Sequence, residues 1–184
     1  MLMFDCTKGF NLVSHSWIDK VLQKGMCPNG LRVGINRLVQ HQSSILNFRG
    51  ITKPPAIMHS GVRQGGPLSG ILFVLICACF LASLALVPGV LQVLGFCDDW
   101  QTSFAGLRPI RRIAQLVREF EQASGAMIHK EKTKWLPNRN LTSPEQTTLR
   151  QIWPGAAITQ REIVLGTPIG HTVQTKEFAD RAIE

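Results

Sequence analysis

The chain has 184 residues, 45% hydrophobic and 17% charged, which supplies apolar material for a domain with its own core and excludes a disordered, charge-rich segment. A formal net charge of +8 and an isoelectric point near 9.7 favour a polyanionic partner, because clustered Lys and Arg release counterions from phosphate backbones. Five cysteines without a C-x-x-C pair, no His at zinc-ligand spacing, and an N-terminus without a basic segment, long apolar run and cleavage site argue against a zinc module, a disulfide scaffold and a secretory leader.

In chain order, Leu2 to Asp5 predicts a short buried strand that ends on a carboxylate. Ser14 to Lys24 fits a helix with Trp17, Ile18, Val21 and Leu22 on one side, stopped at Gly25. Leu31 to Phe48 reads as a second helix running into a strand; after Pro54-Pro55, Ala56 to His59 reads as the returning arm of a hairpin. A glycine-rich turn follows, and Pro67 suits the first turn of a helix continued by the uncharged Leu68 to Leu86. No Asp, Glu, Lys or Arg occurs from Gly65 through Cys97, so a membrane span near 67–87 is a rival reading. Pro88-Gly89 and the polar Ser69, Ser83 and Gln92 speak against it.

Val90 to Phe96 and Gln101 to Phe104 predict two arms of a hairpin with Asp98-Asp99 at its tip. Pro109 to Ala123 places Ile110, Ile113, Leu116, Val117 and Phe120 on one helix face and Arg111, Arg112, Arg118 and Glu119 elsewhere, with Gly125 as the cap. Thr142-Ser143-Pro144-Glu145 has the chemistry of a helix start, Ile163 to Ile169 that of a late strand, and Thr175 to Ile183 that of a terminal helix. No repeat or linker argues for more than one domain across 1–184. The fold class expected is α+β: a small antiparallel sheet carrying Asp5 and the Asp98-Asp99 hairpin, backed by helices near 14–24, 67–86 and 109–123.

Paired Asp residues directly after an apolar strand are costly to crowd, because like carboxylates repel and partial burial disfavours both charges unless a cation neutralises them. Hard oxygen donors of this kind suit a divalent ion such as Mg²⁺. Asp99 is the weaker ligand, since adjacent strand residues point to opposite faces except near a turn. Taken alone, the pair equally fits a solvated hairpin tip, and Lys130, Lys132 and Lys134 fit a solvated basic run.

Five stretches resemble the successive palm motifs of reverse transcriptases, most nearly those of non-LTR (LINE-type) retrotransposons, in the right order over nearly the whole chain. They are Phe4-Asp5-Cys6-Thr7-Lys8-Gly9-Phe10-Asn11, Gly61-Val62-Arg63-Gln64-Gly65-Gly66-Pro67-Leu68-Ser69, Gly95-Phe96-Cys97-Asp98-Asp99, Ser124 through Lys134, and Val164-Leu165-Gly166. The resemblance implies a polymerase-like palm and an RNA-directed DNA polymerase, a nucleotidyltransferase acting on an RNA template, a DNA primer and dNTPs. It implies two Mg²⁺ ions, with Mn²⁺ able to substitute, held by Asp5, the backbone carbonyl of Cys6 and Asp98, with Asp99 as the third catalytic carboxylate.

By the same resemblance, Phe10 is a steric gate against a ribose 2′-hydroxyl, and Arg63, Gln64 and Gly65 meet the incoming nucleotide. Lys132 (or Lys130) protonates departing pyrophosphate, and Leu165 and Gly166 position the primer. Lys8 matches the family's lysine after the first Asp, without an assigned role. Departures are Asn11 in place of a second Asp, His129 in place of Asn, and Gly66 and Gly70 in place of Cys and Pro; none removes a metal ligand. By the resemblance the basic fingers segment would precede Met1 and no thumb or endonuclease follows Glu184, so the chain reads as a palm fragment. Its five cysteines, mostly among apolar neighbours, read as reduced core thiols of an intracellular protein, the nucleus included. The reading from another class is a non-catalytic nucleic-acid-binding remnant of a retroelement.

Overall fold

The computed structural model describes residues 1–7, 9–40, 42–45, 47–164 and 167–170. The first strand, β1 (Leu2–Thr7), is followed by a single helical turn α1 (Gly9–Leu12) and by helices α2 (His15–Lys24) and α3 (Asn29–Gln40). Four two-residue strands follow: β2 (Ser43–Ser44), β3 (Asn47–Phe48), β4 (Ile51–Thr52) and β5 (Ala56–Ile57). Then come α4 (Ser69–Ala85), β6 (Val90–Phe96), β7 (Asp99–Phe104) and α5 (Ile110–Ser124). The rest comprises β8 (Met127–Ile128), β9 (Lys134–Trp135), α6 (Ser143–Ile152), β10 (Ala157–Ile158), β11 (Arg161–Val164) and β12 (Thr167–Gly170).

The main sheet has the order β10-β9-β1-β7-β6, with β8 also paired to β1. β1 runs antiparallel to both β7 and β9, and β6 antiparallel to β7, but β9 and β10 are parallel, so the expected all-antiparallel sheet is mixed at one edge. The α+β class and the three long helices stand as expected, with ends moved by one or two residues. The helix begun near Leu31 ends at Gln40 and is followed by β2, which pairs with β5 as the expected hairpin, while β3 and β4 form a nested turn between them. Two readings are corrected. Ile163 to Ile169 is not one strand: β11 and β12 pair antiparallel there. The segment near 67–87 is the 17-residue α4, about 26 Å long, and no helix among the described residues is long and apolar enough to cross a membrane. The expected helix at 175–183 lies outside the described residues.

Chain contacts define two compact units. The first comprises Met1–Asp5, Ser83–Leu116 and the chain from Ile128 on. Its core is built on the sheet from Leu2, Phe4, Trp100, Ile110, Ile113 and Trp135. Trp153, at the end of α6, sets its ring 5.5 Å from Phe4 and 6.2 Å from Trp135. α6 starts where the sequence places it: Thr142 and Glu145 form a capping box, and Arg139 grips the Glu145 carboxylate through two N–H donors at 2.7 and 3.0 Å. Those bonds, the Arg139 pair first, hold the Glu145 carboxyl down at about 2, so the cap stays charged at ordinary pH.

The second unit comprises Cys6–Ala82 and Val117–Met127. Ser14 caps α2 by accepting from the Trp17 N–H, and Ile18 and Leu22 bury one face of that helix. Phe80 of α4 stacks on Phe120 at 4.6 Å, and Trp17 meets the same ring edge-on at 6.4 Å. α4 turns Leu72, Phe73, Ile76 and Phe80 inward and leaves Ile71, Val74 and Leu75 exposed. Both faces are apolar, which is why hydropathy alone makes this helix look like a span.

Candidate active site

β1 delivers Asp5 beside the hairpin β6–β7, and the register sets Asp5 directly opposite Asp99. Directly opposed residues of antiparallel strands have Cα atoms about 4.5–5.5 Å apart. The strands of the hairpin close at Phe96↔Asp99, leaving Cys97 and Asp98 as a two-residue turn. Cys97 has a positive φ of 52°, a backbone state glycine normally takes at the first central position of a type II′ turn. The turn is pinned by Trp100, which is buried and donates its Nε1–H to the Cys97 carbonyl at 2.8 Å. Asp5 and the distant Asp98-Asp99 pair therefore sit at one end of the sheet.

Their negative charge is met by Lys132, whose Nζ lies 2.8 Å from Asp5 Oδ2. The loop that carries Lys132 is fixed at both of its ends. His129 donates its N–H to the Asp5 carbonyl at 2.7 Å, and the His129 carbonyl accepts from the N–H groups of Lys132 and Thr133 and from Thr133 Oγ1. The Asp5 hydrogen bond and charge, with smaller contributions from Asp98 and Asp99, push the Lys132 ammonium above the ordinary lysine range. Partial desolvation, then the charges of Asp98 and Asp5, push the Asp99 carboxyl upward, while Lys132 works against them. Of the three lysines, Lys134 is engaged elsewhere, 2.6 Å from Glu162 Oε2, and Lys130 is exposed.

A raised carboxyl opposes folding once ionised, so its effect is absent below the ordinary aspartate range and grows as pH rises through the raised value. Asp99→Asn is accordingly expected to melt at a higher temperature than the parent protein at pH 7 in metal-free buffer, and at the same temperature near pH 3. Thermal melts at the two pH values check this; an equal or lower melting temperature at pH 7 contradicts crowding of the three carboxylates.

In the second unit, the glycine-rich segment docks on the backbone of α1. Gly61 donates its N–H to the Val13 carbonyl at 2.7 Å, and Val62 donates to the Phe10 carbonyl at 2.6 Å. Gly61 has φ +84°, and a Cβ there would lie 2.6 Å from the Asn11 carbonyl oxygen and 2.7 Å from that of Phe10. The Phe10 ring stacks on Phe73 at 4.4 Å, so the residue read as a gate is held by α4. Arg63, Gln64 and Gly65 are exposed, in a turn closed by Ser69, whose hydroxyl donates to the Arg63 carbonyl. Leu165, Gly166 and Lys8 lie outside the described residues.

The model of the family described as reverse transcriptase (RNA-dependent DNA polymerase) matches residues 1–164. The chain belongs to the reverse transcriptase family. No curated protein matches it. Among solved structures, an apo telomerase of Candida tropicalis, truncated from its C-terminal domain, matches with a TM-score of 0.69 and 13% identity, over 92% of this chain and 33% of that one. Telomerase of Candida albicans with a TWJ fragment of telomeric RNA matches with a TM-score of 0.64 and 13% identity, over 92% of this chain and 30% of that one. The corresponding Candida tropicalis complex gives 0.57 and 13%, over 72% and 25%. The likeness is one of fold, and the reverse transcriptase chain spans a third or less of the telomerase chains it matches.

Reverse transcriptases as a family use divalent metal ions, and the donors at the sheet end suit them chemically: carboxylate oxygens crowded enough to push Asp99 upward, with an ammonium group already drawn to Asp5. Among the described residues no three His, Cys, Asp or Glu side chains are gathered tightly enough to hold an ion as they stand. Asp5 Oδ2 is instead engaged by the Lys132 ammonium. Sequence reasoning left the choice between Lys132 and Lys130 open and missed the Trp100 pin and the strained Cys97 turn; a Trp two residues after the Asp pair's first member was the available signal for the pin.

Proposed function

We propose that this chain is the palm of a non-LTR retrotransposon reverse transcriptase, one domain across 1–184, which extends a DNA primer with dNTPs on an RNA template. The observation that carries the reading is the meeting of Asp5, Asp98 and Asp99 around Lys132, at the end of a sheet in a member of the reverse transcriptase family. Asp5, the Cys6 carbonyl and Asp98 would hold two Mg²⁺ ions, with Mn²⁺ as a substitute. When bound, divalent ions lower the cost of ionising the primer 3′-hydroxyl and of building charge on the triphosphate.

The residues supply the remaining tasks. Asp99, held above the ordinary carboxylate range, sits closest in register to Asp5 and completes the anionic wall. Lys132 is fully protonated at neutral pH and, once displaced from Asp5, has a proton to give to departing pyrophosphate. Phe10 excludes a 2′-hydroxyl, Arg63, Gln64 and Gly65 receive the nucleotide, and Leu165 and Gly166 hold the primer end. A polymerase of this kind would act inside the cell, the nucleus included.

Primer extension on an RNA template with Mg²⁺ tests the reading. The parent chain is expected to incorporate dNTPs and Asp98→Asn to lose incorporation by about 10³-fold. Equal incorporation by the two proteins removes the catalytic reading and leaves a nucleic-acid-binding remnant.

A further inference from the structure

The hairpin turn that carries Asp98 is held in a shape its own sequence resists. Cys97 has φ +52°, at the first central position of a two-residue turn closed by Phe96 and Asp99, where glycine is the ordinary choice. A residue with a Cβ is disfavoured there, so the turn persists only where its surroundings over-determine it. One such contact is in place. The Nε1–H of Trp100 donates to the Cys97 carbonyl at 2.8 Å, three residues back along the chain. Trp100 is 1% exposed, and its register partners are Phe4 on β1 and Gly95 on β6, so the indole is anchored in the sheet and not in the turn.

The other three tryptophans show that this bond is not a by-product of burial. The Nε1–H groups of Trp17, Trp135 and Trp153 are buried with no acceptor among the described residues. Only the fourth indole of the chain, Trp100, spends its N–H on the carbonyl of the residue before Asp98. That peptide sets where Asp98 begins, because the peptide unit is planar and a rotation of the Cys97 carbonyl turns the Asp98 N–H with it. After desolvation, the Asp98 charge is the largest influence pushing Asp99 upward, and it adds to the Asp5 hydrogen bond and charge in raising Lys132. The turn therefore delivers Asp98 into the charged group at the sheet end.

We propose that Trp100 is a positioning residue for Asp98: its indole N–H holds the Cys97 peptide in the strained turn and so keeps the Asp98 carboxylate at the sheet end with Asp5. The inference rests on the preceding reading for what Asp98 does there, as a cation ligand, and not for how Asp98 is held. Without the donor, Cys97 is free to leave the positive-φ state, and Asp98 moves with it. With glycine at position 97 the same state carries no Cβ penalty, so the turn no longer needs the indole. Trp100 and Cys97 are therefore energetically coupled, which the packing of a large ring in the sheet does not require.

The test is a double-mutant cycle of W100F and C97G in the whole chain, read as hydrogen–deuterium exchange at the Phe96 and Asp99 amides in metal-free buffer. W100F is expected to speed exchange about tenfold in the parent background, the size of one lost hydrogen bond, and no more than about threefold in the C97G background. Equal acceleration in both backgrounds assigns Trp100 to packing alone and overturns the clamp, as does no acceleration in either. Should W100F fail to fold, replacing all four tryptophans by 3-benzothienylalanine removes the donors and keeps the bicyclic shape. Only the Trp100 bond is lost by that replacement, since the other three N–H groups have no partner among the described residues, and the same cycle with C97G is expected. Mn²⁺ titration reads the consequence: W100F should bind the ion about tenfold more weakly than the parent chain, and W100F/C97G should recover most of that loss. Unchanged ion affinity in W100F, despite faster exchange, overturns the positioning of Asp98. A parent chain that binds no Mn²⁺ sinks the cation reading instead, and the exchange cycle still decides the clamp.

Discussion

Asp5→Asn is expected to lower dNTP incorporation on an RNA template by about 10³-fold or more, at least as large a loss as Asp98→Asn. Asp5 has two roles that no neighbour duplicates. It stands opposite Asp99 across β1 and β7, so its carboxylate belongs to the wall that would face the reacting phosphate. It also holds Lys132 at 2.8 Å, and its removal withdraws the first cause of that ammonium's raised proton affinity. The backbone should survive the change, because the N–H of His129 donates to the Asp5 carbonyl and not to its side chain. Primer-extension rates beside thermal melts check both halves. Loss of incorporation with an intact melt is the expected pair, and a retained rate contradicts the assignment of Asp5.

Gly61→Ala is expected to destabilise the fold by about 3 kcal/mol or more, lowering the melting temperature by about 10 °C. Two penalties combine there. A positive φ of +84° is unfavourable for any residue with a Cβ, and the added carbon would fall 2.6–2.7 Å from three backbone atoms of Phe10 and Asn11, which cannot swing away as a side chain can. Gly65 separates the penalties, having φ +81° with nothing within 4 Å of its Cβ position. Gly65→Ala should therefore cost only about 1–2 kcal/mol. Differential melts of the two variants decide the matter, and equal destabilisation would show that the docking of the glycine-rich segment on α1 is not what Gly61 serves. Gly61→Ala should also slow incorporation, because the peptide it displaces supports the turn that carries Phe10.

The parts of this fold that were legible in the sequence are those where local chemistry and tertiary packing agree. The short apolar run ending on Asp5, the Ile110–Phe120 stripe of α5 and the Thr142–Glu145 capping box each specify their element without help from neighbours. The uncharged run from Gly65 to Cys97 was ambiguous for a physical reason. α4 carries apolar residues on its buried and exposed faces alike, so its periodicity is invisible, and only its 17-residue length and the break at Pro88-Gly89 distinguish it from a span. The parallel β9–β10 pair was unreadable because two-residue strands have no period to detect.

For the site, the carboxylates were legible because an Asp pair at a hairpin tip advertises itself, and the palm motifs supplied their order. The lysine was not. Lys130, Lys132 and Lys134 have the same local chemistry, and the choice is made by the turn that His129 and Thr133 close, which sends Lys132 to Asp5, while Lys134 meets Glu162. Cys97 in a turn position that favours glycine is likewise set by the closure of β6 on β7, which no composition rule reveals.

The most direct measurement is a titration of the protein with Mn²⁺ followed by electron paramagnetic resonance, comparing the parent chain with Asp5→Asn and Asp98→Asn. The signal of free Mn²⁺ should be quenched by the parent chain, and each variant should bind the ion at least about tenfold more weakly, so that the free signal persists. Ion binding of equal strength in all three proteins would mean that Asp5 and Asp98 do not share a cation, and the polymerase assignment of the sheet end would be contradicted.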